Sequence, residues 1–244
     1  SYIANFMEDI SITRSSVKWG IPFPKDKKQA IYVWFDALIN YLSAVGYGIN
    51  SAKFKKYWPA DLHLVGKDII KFHCALWPAM LMSAGLPLPK RVFAHGFFTL
   101  DGVKISKSLG NAVNPAELTA VYGIDALRYY LLREISFGED GDFGMERLHG
   151  RYNSDLANGL GNFAARVLGM TEKYFGGVVP KKAAGSAANT WVSYESNMAD
   201  LRPDLALSDI WDLLSFCDRF IDTEQPWVLA KTDKKRLEVV IYTL

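Results

Sequence analysis

Short apolar runs followed by stretches of helical periodicity make up the first hundred residues. Three runs predict strands: Ile31–Phe35, which is apolar, β-branched and aromatic and is expected to be buried, and then Leu62–Gly66 and Arg91–Leu100. Asp36 is a suitable N-cap for a helix after the first run, and Lys67 to Ala84 predicts a helix after the second. This alternation predicts a mostly parallel sheet, whose ligands lie at the carboxyl ends of the strands.

The rest of the chain has helical periodicity almost throughout. Asn114-Pro115 is a favourable N-cap and first-turn pair, and Gly176-Gly177 is a favourable helix stop. Helices are predicted at Pro115–Tyr122, Asp125–Glu134, Met145–Tyr174, Trp191–Leu201, Ser208–Asp222 and after Gln225-Pro226-Trp227. Lys181–Thr190, composed of Lys, Ala, Gly, Ser, Asn and Thr, predicts a flexible connection.

The change of pattern near Gly138–Asp142 predicts two domains, residues 1–138 and 139–244, and 244 residues are enough for both. The chain starts with Ser1-Tyr2-Ile3 and stops within Leu237–Leu244, a stretch of helical pattern. We therefore expect a piece of a longer protein, in which a missing targeting signal has little meaning. No run of about 18 apolar residues occurs, so no membrane span is expected.

Composition narrows the function classes only slightly. The formal net charge of +2 is too small to indicate a nucleic-acid partner, so any RNA binding must depend on a local patch. Cys74 and Cys217 are far apart in the sequence and form no C-x-x-C pair, which excludes an internal four-cysteine zinc site and a disulfide framework. Both have apolar neighbours, and we expect buried thiols.

A pair of lysines three positions apart is the first motif that indicates chemistry. Asp101-Gly102 predicts a tight turn, and Lys104-Ile105-Ser106-Lys107-Ser108 follows it. Two ammonium groups in a loop suit a triphosphate, since each acts as a point charge on phosphate oxygens. When a carboxylate attacks the α-phosphate, such lysines stabilise the departing pyrophosphate without any general base. The alternative is a solvated basic turn at the surface.

Several ordered blocks with matching gaps resemble one family. Lys104–Ser108 is similar to the K-M-S-K-S signature of class I aminoacyl-tRNA synthetases, with Ile105 in place of Met. Three longer blocks resemble methionyl-tRNA synthetases in particular: Tyr32–Ala37, Val65–His73 and His95–Asn111. The resemblance implies an α/β fold in residues 1–138, the second half of a Rossmann-type catalytic domain. It implies an all-α helical-bundle anticodon-binding domain in residues 139–244.

The resemblance also implies a methionine pocket with aromatic and apolar walls. The matching positions are Ile10, Trp34, Ala37, Tyr41, Phe72 and His73. A polarisable thioether gains from packing at aromatic edges, and a hydroxyl or imidazole donor can meet the sulfur. From the residues alone, Trp34 and Phe72 could be ordinary core and His73 a core histidine with satisfied hydrogen bonds.

For ATP, accompanied by Mg²⁺, the matching positions are Gly66 and Asp68 near the ribose, His95 and Gly96 near the adenine, and Lys104, Ser106 and Lys107 at the phosphates. Lys104 and Lys107 would be the catalytic residues. Asp68 could instead be a carboxylate favoured by a helix N-terminus. Arg14 matches a family arginine near the active site.

In the helical half, the resemblance implies that Asn162, Arg166 and Trp227 contact the anticodon of tRNA(Met). Asn162 and Arg166 are four residues apart, so they project from one helix face. An aromatic ring for stacking and polar groups for base edges suit splayed loop bases. Alternatively, Trp227 holds a loop in place, and Arg166 pairs with Glu172 or another neighbour.

The resemblance implies a methionine–tRNA ligase, which activates methionine with ATP to methionyl-adenylate and transfers it to tRNA(Met). The H-I-G-H-type element, the acid that binds the substrate amino group and the zinc-bearing insertion do not occur in these residues. We therefore expect no metal site here and little activity from these 244 residues alone. The alternatives are a class I synthetase for Cys, Leu, Ile or Val, and a non-catalytic tRNA-binding module. The expected location is the cytoplasm, with an organellar enzyme as the alternative.

Overall fold

The computed structural model describes residues 4–5, 7–105, 110–181 and 188–244 of the chain. They form two compact units, Ser1–His95 and Gly96–Leu244. Helices predominate in the described residues, and the sheets have two or three strands each. The domain boundary between residues 138 and 139 stays a prediction, because compact packing units and functional domains need not coincide.

The first unit contains two small sheets. An antiparallel one has the order β1 (Thr13–Arg14), β3 (Asp26–Ile31), β2 (Pro22–Phe23). A parallel pair joins β4 (His63–Gly66) to β5 (Val92–His95), with Gly66 opposite His95 as the last register pair. The strand predicted at Leu62–Gly66 is therefore confirmed within one residue, and its pairing is parallel as expected.

The buried strand predicted at Ile31–Phe35 is wrong, because β3 ends at Ile31 and a helix begins at Val33. This helix, α1 (Val33–Ala44), buries Leu38 and Leu42 as their spacing predicts. Its N-cap is Tyr32, so the assignment of Asp36 as the cap is wrong as well. A short apolar run does not distinguish a strand from the first turn of a helix, which explains both errors.

The helix predicted from Lys67 to Ala84 is three helical segments in succession. A 3₁₀ turn (Lys67–Ile69) precedes a π-helical turn (Phe72–Leu76), which leads into α3 (Trp77–Ser83). Pro78 lies in the first turn of α3, where a missing N–H is tolerated. Helix α2 (Ser51–Tyr57) lies earlier in the chain, between α1 and β4. It is capped by Asn50, whose side chain accepts from the Lys53 N–H.

The core of the first unit joins α1 to the π turn and α3. Its buried members are Leu38, Leu42, Trp58, Leu76, Trp77 and Leu81. Cys74 is exposed, so the expectation that both thiols are buried is wrong for it and right only for Cys217. Within the π turn, the side chains of His73 and Ala75 are buried, whereas Cys74 between them lies on the exposed side.

The sheet of the second unit has the order β7 (Val103–Lys104), β6 (Phe98–Leu100), β8 (Gly141–Phe143). Strand β6 pairs antiparallel with β7 and parallel with β8. The single run predicted at Arg91–Leu100 is therefore two strands of two different sheets. The interruption between the two strands begins at Gly96, where a Cβ atom would lie 2.1 Å from the carbonyl oxygen of Glu139.

The remaining described elements are helices: α4 (Pro115–Tyr122), α5 (Ile124–Arg133), α6 (Met145–Arg151), a π-helical stretch (Tyr152–Gly161), α7 (Asn162–Phe175), α8 (Ala188–Ala199), α9 (Pro203–Glu224), α10 (Pro226–Thr232) and α11 (Lys234–Thr243). The Asn114 cap and the Gly176-Gly177 stop predicted in this half of the chain are confirmed. The Asn114 side chain accepts from the Ala116 N–H, and Gly176 and Gly177 have φ of 59° and 78°. A separate cluster of Leu118, Leu127, Tyr130, Phe143 and Leu148 packs α4, α5 and α6 on β8.

The connection predicted at Lys181–Thr190 lies largely outside the described residues, since 182–187 are not among them. Its flexibility therefore stays a prediction. Within the described part of the chain, every helix is too short or too polar to cross a bilayer.

Candidate functional site

One face of α1 presents an aromatic cluster to the π turn. Trp34, Ala37 and Tyr41 are three and four residues apart, so they share this face. The rings of Trp34 and Phe72 stack, with centroids 4.1 Å apart and planes 11° apart. The Trp34 ring meets His73 edge-on at 6.4 Å, and Ala37 is exposed beside it. The Tyr41 ring meets the other edge of this cluster through His73, at 5.7 Å between ring centroids. Four of the six positions assigned to methionine are therefore linked by successive ring contacts.

His73 is held in a defined tautomer. Its Nδ1 lies 3.0 Å from the Ile69 carbonyl oxygen, which can only accept, so the proton of the neutral ring is on Nδ1. Nε2, 2.9 Å from the Tyr41 hydroxyl, then accepts from that hydroxyl. Burial raises the pKa of Tyr41, which keeps the hydroxyl protonated. The hydrogen that a ligand sulfur could receive is thus carried by Tyr41 and not by His73.

His63, absent from our sequence assignment, lies behind this pair. Its side chain is buried, and Nε2 accepts from the Trp77 indole N–H at 3.2 Å. The His63 ring centroid is 4.4 Å from that of Tyr41 and 5.9 Å from that of His73. Burial, and secondarily His73, lower the pKa of His63, which favours the neutral ring. Strand alternation could have identified it, because His63 and Val65 occupy the inward positions of the predicted strand.

A cleft of about 220 Å³ opens beside the cluster, and Ile10, Arg14, Tyr32 and Phe72 are among its walls. Ile10 is 42% exposed, so it can contact a ligand without displacing a core residue. The Arg14 guanidinium stacks over the Tyr32 ring at 3.7 Å and donates to the Ser11 and Thr13 carbonyls at 2.7 and 2.9 Å. These contacts fix the guanidinium at the rim of the cleft.

Three of the positions assigned to ATP meet at the carboxyl ends of β4 and β5. A Cβ atom at Gly66 would lie 2.6 Å from the Asp68 carboxylate oxygen Oδ1 and 3.9 Å from the His95 ring. Glycine at 66 therefore leaves room for that carboxylate. Asp68 is exposed and stands in the first turn of the 3₁₀ segment, which fits both a ribose acceptor and a dipole-favoured carboxylate.

Gly96, in the second unit, is buried against the backbone of Glu139 and Asp140. The Glu139 carbonyl oxygen lies 2.1 Å from the position that a Cβ atom would take, and the Phe97 N–H donates to Asp140 Oδ1 at 2.7 Å. The structure thus gives Gly96 a packing requirement that is separate from its assignment to ATP.

Lys104 follows a turn in which Asp101 has φ of 49° and Gly102 has φ of 77°. Two consecutive positive values are typical of the type I′ turn that the Asp-Gly pair predicts. Lys104 is exposed, and its carbonyl accepts from the Asn111 side-chain amide at 3.0 Å. Ser106 and Lys107 lie outside the described residues. Asp142, which our sequence assignment missed, accepts a hydrogen bond from the Gly102 N–H of this turn.

The positions assigned to the anticodon are exposed on two helices of the second unit. Asn162 and Arg166 stand one turn apart on α7, and Trp227 lies in the first turn of α10. The Arg166 guanidinium pairs with Asp222 at 2.9 Å and with Asp218 at 3.6 Å, both on α9. The partners are thus acids on another helix, and any RNA contact by Arg166 competes with them.

Comparison with known proteins gives one family. The family model described as "tRNA synthetases class I (M)" matches residues 1–168. A methionine–tRNA ligase of Thermotoga maritima is 49% identical over 97% of the chain, and one of Caldanaerobacter subterraneus is 51% identical over all of it. A Mycobacterium tuberculosis methionyl-tRNA synthetase, solved in complex with methionyl-adenylate, superposes with a TM-score of 0.86, 41% identity and 99% coverage of the chain.

The chain covers only part of each of these proteins. It spans 39% and 40% of the lengths of the two bacterial ligases and 50% of the mycobacterial chain.

Proposed function

The chain belongs to the class I (M) tRNA synthetases, and we propose that it supplies part of a methionine–tRNA ligase. In this reaction the methionine carboxylate attacks the α-phosphorus of ATP, pyrophosphate leaves, and methionyl-adenylate forms. A hydroxyl at the 3′ end of tRNA(Met) then attacks the methionyl carbonyl carbon, and AMP leaves. The observation that carries this proposal is the Tyr41–His73 hydrogen bond beside the stacked rings of Trp34 and Phe72.

These contacts suit a thioether better than a branched alkyl group. The methionine sulfur packs at the edges of the Trp34 and Phe72 rings, and such contacts contribute about 0.3–1.5 kcal/mol. The Tyr41 hydroxyl turns from His73 to donate to the sulfur. His73 keeps its bond to Ile69 and holds the floor of the pocket, while Ile10 and Ala37 limit its width.

ATP, with Mg²⁺ as its companion ion, is proposed to use two groups of residues. The nucleoside is bound by Gly66, Asp68 and His95. Their position together at the carboxyl ends of two parallel strands supports this role. Gly96 is assigned to the same nucleoside. Lys104, Ser106 and Lys107 act on the phosphates, where the two ammonium groups stabilise the growing charge on pyrophosphate.

The helical residues 139–244 are proposed to bind the anticodon of tRNA(Met) through Asn162, Arg166 and Trp227. The exposure of all three side chains supports this role. Arg166 exchanges Asp222 and Asp218 for a base edge or a phosphate when RNA binds. This activity serves translation, and the location that it implies is the cytoplasm.

The proposal is tested by the equilibrium affinity of the full-length protein for methionine, norleucine and leucine, measured by calorimetry. Norleucine has a methylene in place of the sulfur and otherwise matches methionine in shape. We expect norleucine to bind roughly 2- to 10-fold more weakly than methionine, from the sulfur contacts alone. Leucine should bind more weakly still, because its branch clashes with the pocket wall. Equal affinities for the three would contradict a methionine site.

A second candidate, a tRNA-binding module without catalysis, applies to these 244 residues taken alone. The sequence contains no H-I-G-H-type element to hold the phosphates from the other side. We propose that the isolated chain binds RNA weakly and gives no pyrophosphate exchange. Exchange by the 244-residue chain at the full-length rate would contradict this second proposal.

A further inference from the structure

A single row of residues crosses the small sheet of the second unit. Thr99 on β6 is the register partner of Lys104 on β7 and of Asp142 on β8. Residues opposite one another on neighbouring strands direct their side chains to the same face. Asp142, Thr99 and Lys104 therefore share one face of the sheet, with Asp142 two strands away from the lysine.

The Asp142 carboxylate closes the turn that precedes Lys104. Its Oδ1 accepts from the Gly102 backbone N–H at 2.8 Å and from the Thr99 hydroxyl at 2.5 Å. The Asp101 N–H donates to the Phe143 carbonyl at 3.3 Å, so β8 contacts both central residues of the turn. A two-residue turn fixes the register of the strands it joins, so these bonds also fix the position of Lys104.

Arg147 holds the carboxylate from the other side. Its Nη2 lies 2.6 Å from Asp142 Oδ2 and 2.6 Å from the Asp142 carbonyl oxygen. A Cβ atom at Gly144 would be 3.1 Å from the guanidinium, so glycine at this position leaves the arginine its space. The hydrogen bonds from Thr99, Gly102 and Arg147 lower the pKa of Asp142 to about 2, which keeps it ionised.

We propose that Asp142 is a positioning residue that sets Lys104 for the adenylation step, with Arg147 as its anchor. The inference rests on the proposed function, because Lys104 is the group it serves. Every contact on which it depends lies within the second unit, whereas the aromatic cluster proposed to bind methionine lies in the first. Loss of the Asp142 carboxylate should therefore slow the chemical step and leave methionine binding unchanged.

The expected size follows from the geometry of catalysis. A misplacement of about 1 Å can reduce a rate by roughly 100-fold. Asp142→Ala removes the side-chain bonds to the Gly102 N–H and the Thr99 hydroxyl, and it should lower kcat for methionine-dependent pyrophosphate exchange by about that factor, with a much smaller change in the methionine KM. Asp142→Asn keeps one oxygen acceptor and loses the ion pair, so it should recover part of the rate.

The experiment measures exchange kinetics, methionine affinity by tryptophan fluorescence, and thermal unfolding for the full-length protein and each variant. Asp101→Asn is the matched control, since it removes one charge from the same turn and asparagine tolerates the left-handed conformation. This control should exchange at the wild-type rate. Lys104→Gln tests the proposed function itself and should lose most of the exchange activity.

The outcomes separate the positioning role from the proposed function. A large loss of kcat in Asp142→Ala, with methionine affinity intact and partial recovery in Asp142→Asn, supports the positioning role. If Asp142→Ala exchanges within twofold of wild type while Lys104→Gln fails, the positioning role is wrong and the proposed function stands. A fall in methionine affinity parallel to the fall in kcat would assign Asp142 to general folding and overturn the inference. Full activity in Lys104→Gln would overturn the lysine's role and the inference with it.

Discussion

The aromatic cluster of Trp34, Tyr41, Phe72 and His73 depends on hydrogen-bond polarity at single atoms. The Ile69 carbonyl forces the His73 proton onto Nδ1, and this makes Tyr41 the donor of the pair. A histidine in a sequence has two possible tautomers, and only its neighbours in space decide between them. From the sequence we expected either a hydroxyl or an imidazole to donate to the sulfur. The Ile69 carbonyl, four residues before His73, leaves the Tyr41 hydroxyl as the donor.

The first prediction concerns this hydroxyl. Tyr41→Phe removes one hydrogen bond, worth about 0.5–1.5 kcal/mol, and should raise the methionine KM by roughly 2- to 10-fold. The ATP KM should stay within twofold. Tyr57→Phe is the control, because Tyr57 is 52% exposed and belongs to α2. Exchange kinetics provide the measurement, and an unchanged methionine KM in Tyr41→Phe would remove Tyr41 from the site.

The second prediction concerns His63 and pH. Its folded-state pKa lies below the ordinary value of 6.5, so the folded protein binds fewer protons there than the unfolded chain. The stability that the neutral ring supplies is fully present above pH 6.5 and is lost as pH falls through the folded-state pKa. His63→Gln should therefore flatten the decline in melting temperature on the acid side of pH 6.5.

The control for this experiment is His149→Gln, because His149 is an exposed histidine of α6. Its melting temperature should follow the wild-type pH dependence. The same acid-side slope in His63→Gln and wild type would show that His63 does not supply the linkage.

At the scale of elements, local signals predicted well and tertiary ones did not. The Asn114 cap, the Gly176-Gly177 stop and the Asp101-Gly102 turn depend on the conformation of two or three adjacent residues, and the sequence displays these directly. The strand predicted at Ile31–Phe35 was wrong because a short apolar run has no periodicity that distinguishes a strand from a helix. The acids that hold Arg166 come from α9, at a sequence distance that no local pattern reports.

The third prediction contrasts two glycines. Gly96→Ala places a methyl group where the Glu139 carbonyl stands, so backbone must move, and we expect a destabilisation of about 1–3 kcal/mol or more. Gly150→Ala, in α6, meets nothing within 4 Å and should stabilise by about 0.4–1 kcal/mol through its helix propensity. Urea unfolding of both variants measures the difference. Equal stability of the two would contradict the close approach at Gly96.

At the scale of the whole molecule, the small net charge of +2 leaves RNA binding to local groups. The candidate positions on α7 and α10 could be predicted only through the family resemblance. Exposure is all that the described structure adds for Asn162 and Trp227, whereas for Arg166 it adds the acids that compete with RNA.

The fourth prediction tests these positions. Arg166→Gln should weaken binding of a tRNA with a CAU anticodon and reduce the dependence of log affinity on log salt if a phosphate is among its contacts. Arg219→Gln is the control, because Arg219 is also an exposed arginine, on α9, and has no assigned contact with RNA. Filter binding at several salt concentrations gives both quantities. Equal losses of tRNA affinity in the two variants would show that Arg166 contributes only its positive charge and no specific contact.

Our central proposal is that these residues belong to an enzyme that activates methionine. The direct measurement is ATP–pyrophosphate exchange by the full-length protein, with methionine, leucine, isoleucine, valine and cysteine supplied one at a time. We predict rapid exchange with methionine and exchange lower by at least about 100-fold with each of the others. Faster exchange with any of the other four, or none with methionine in a folded protein, would contradict this assignment.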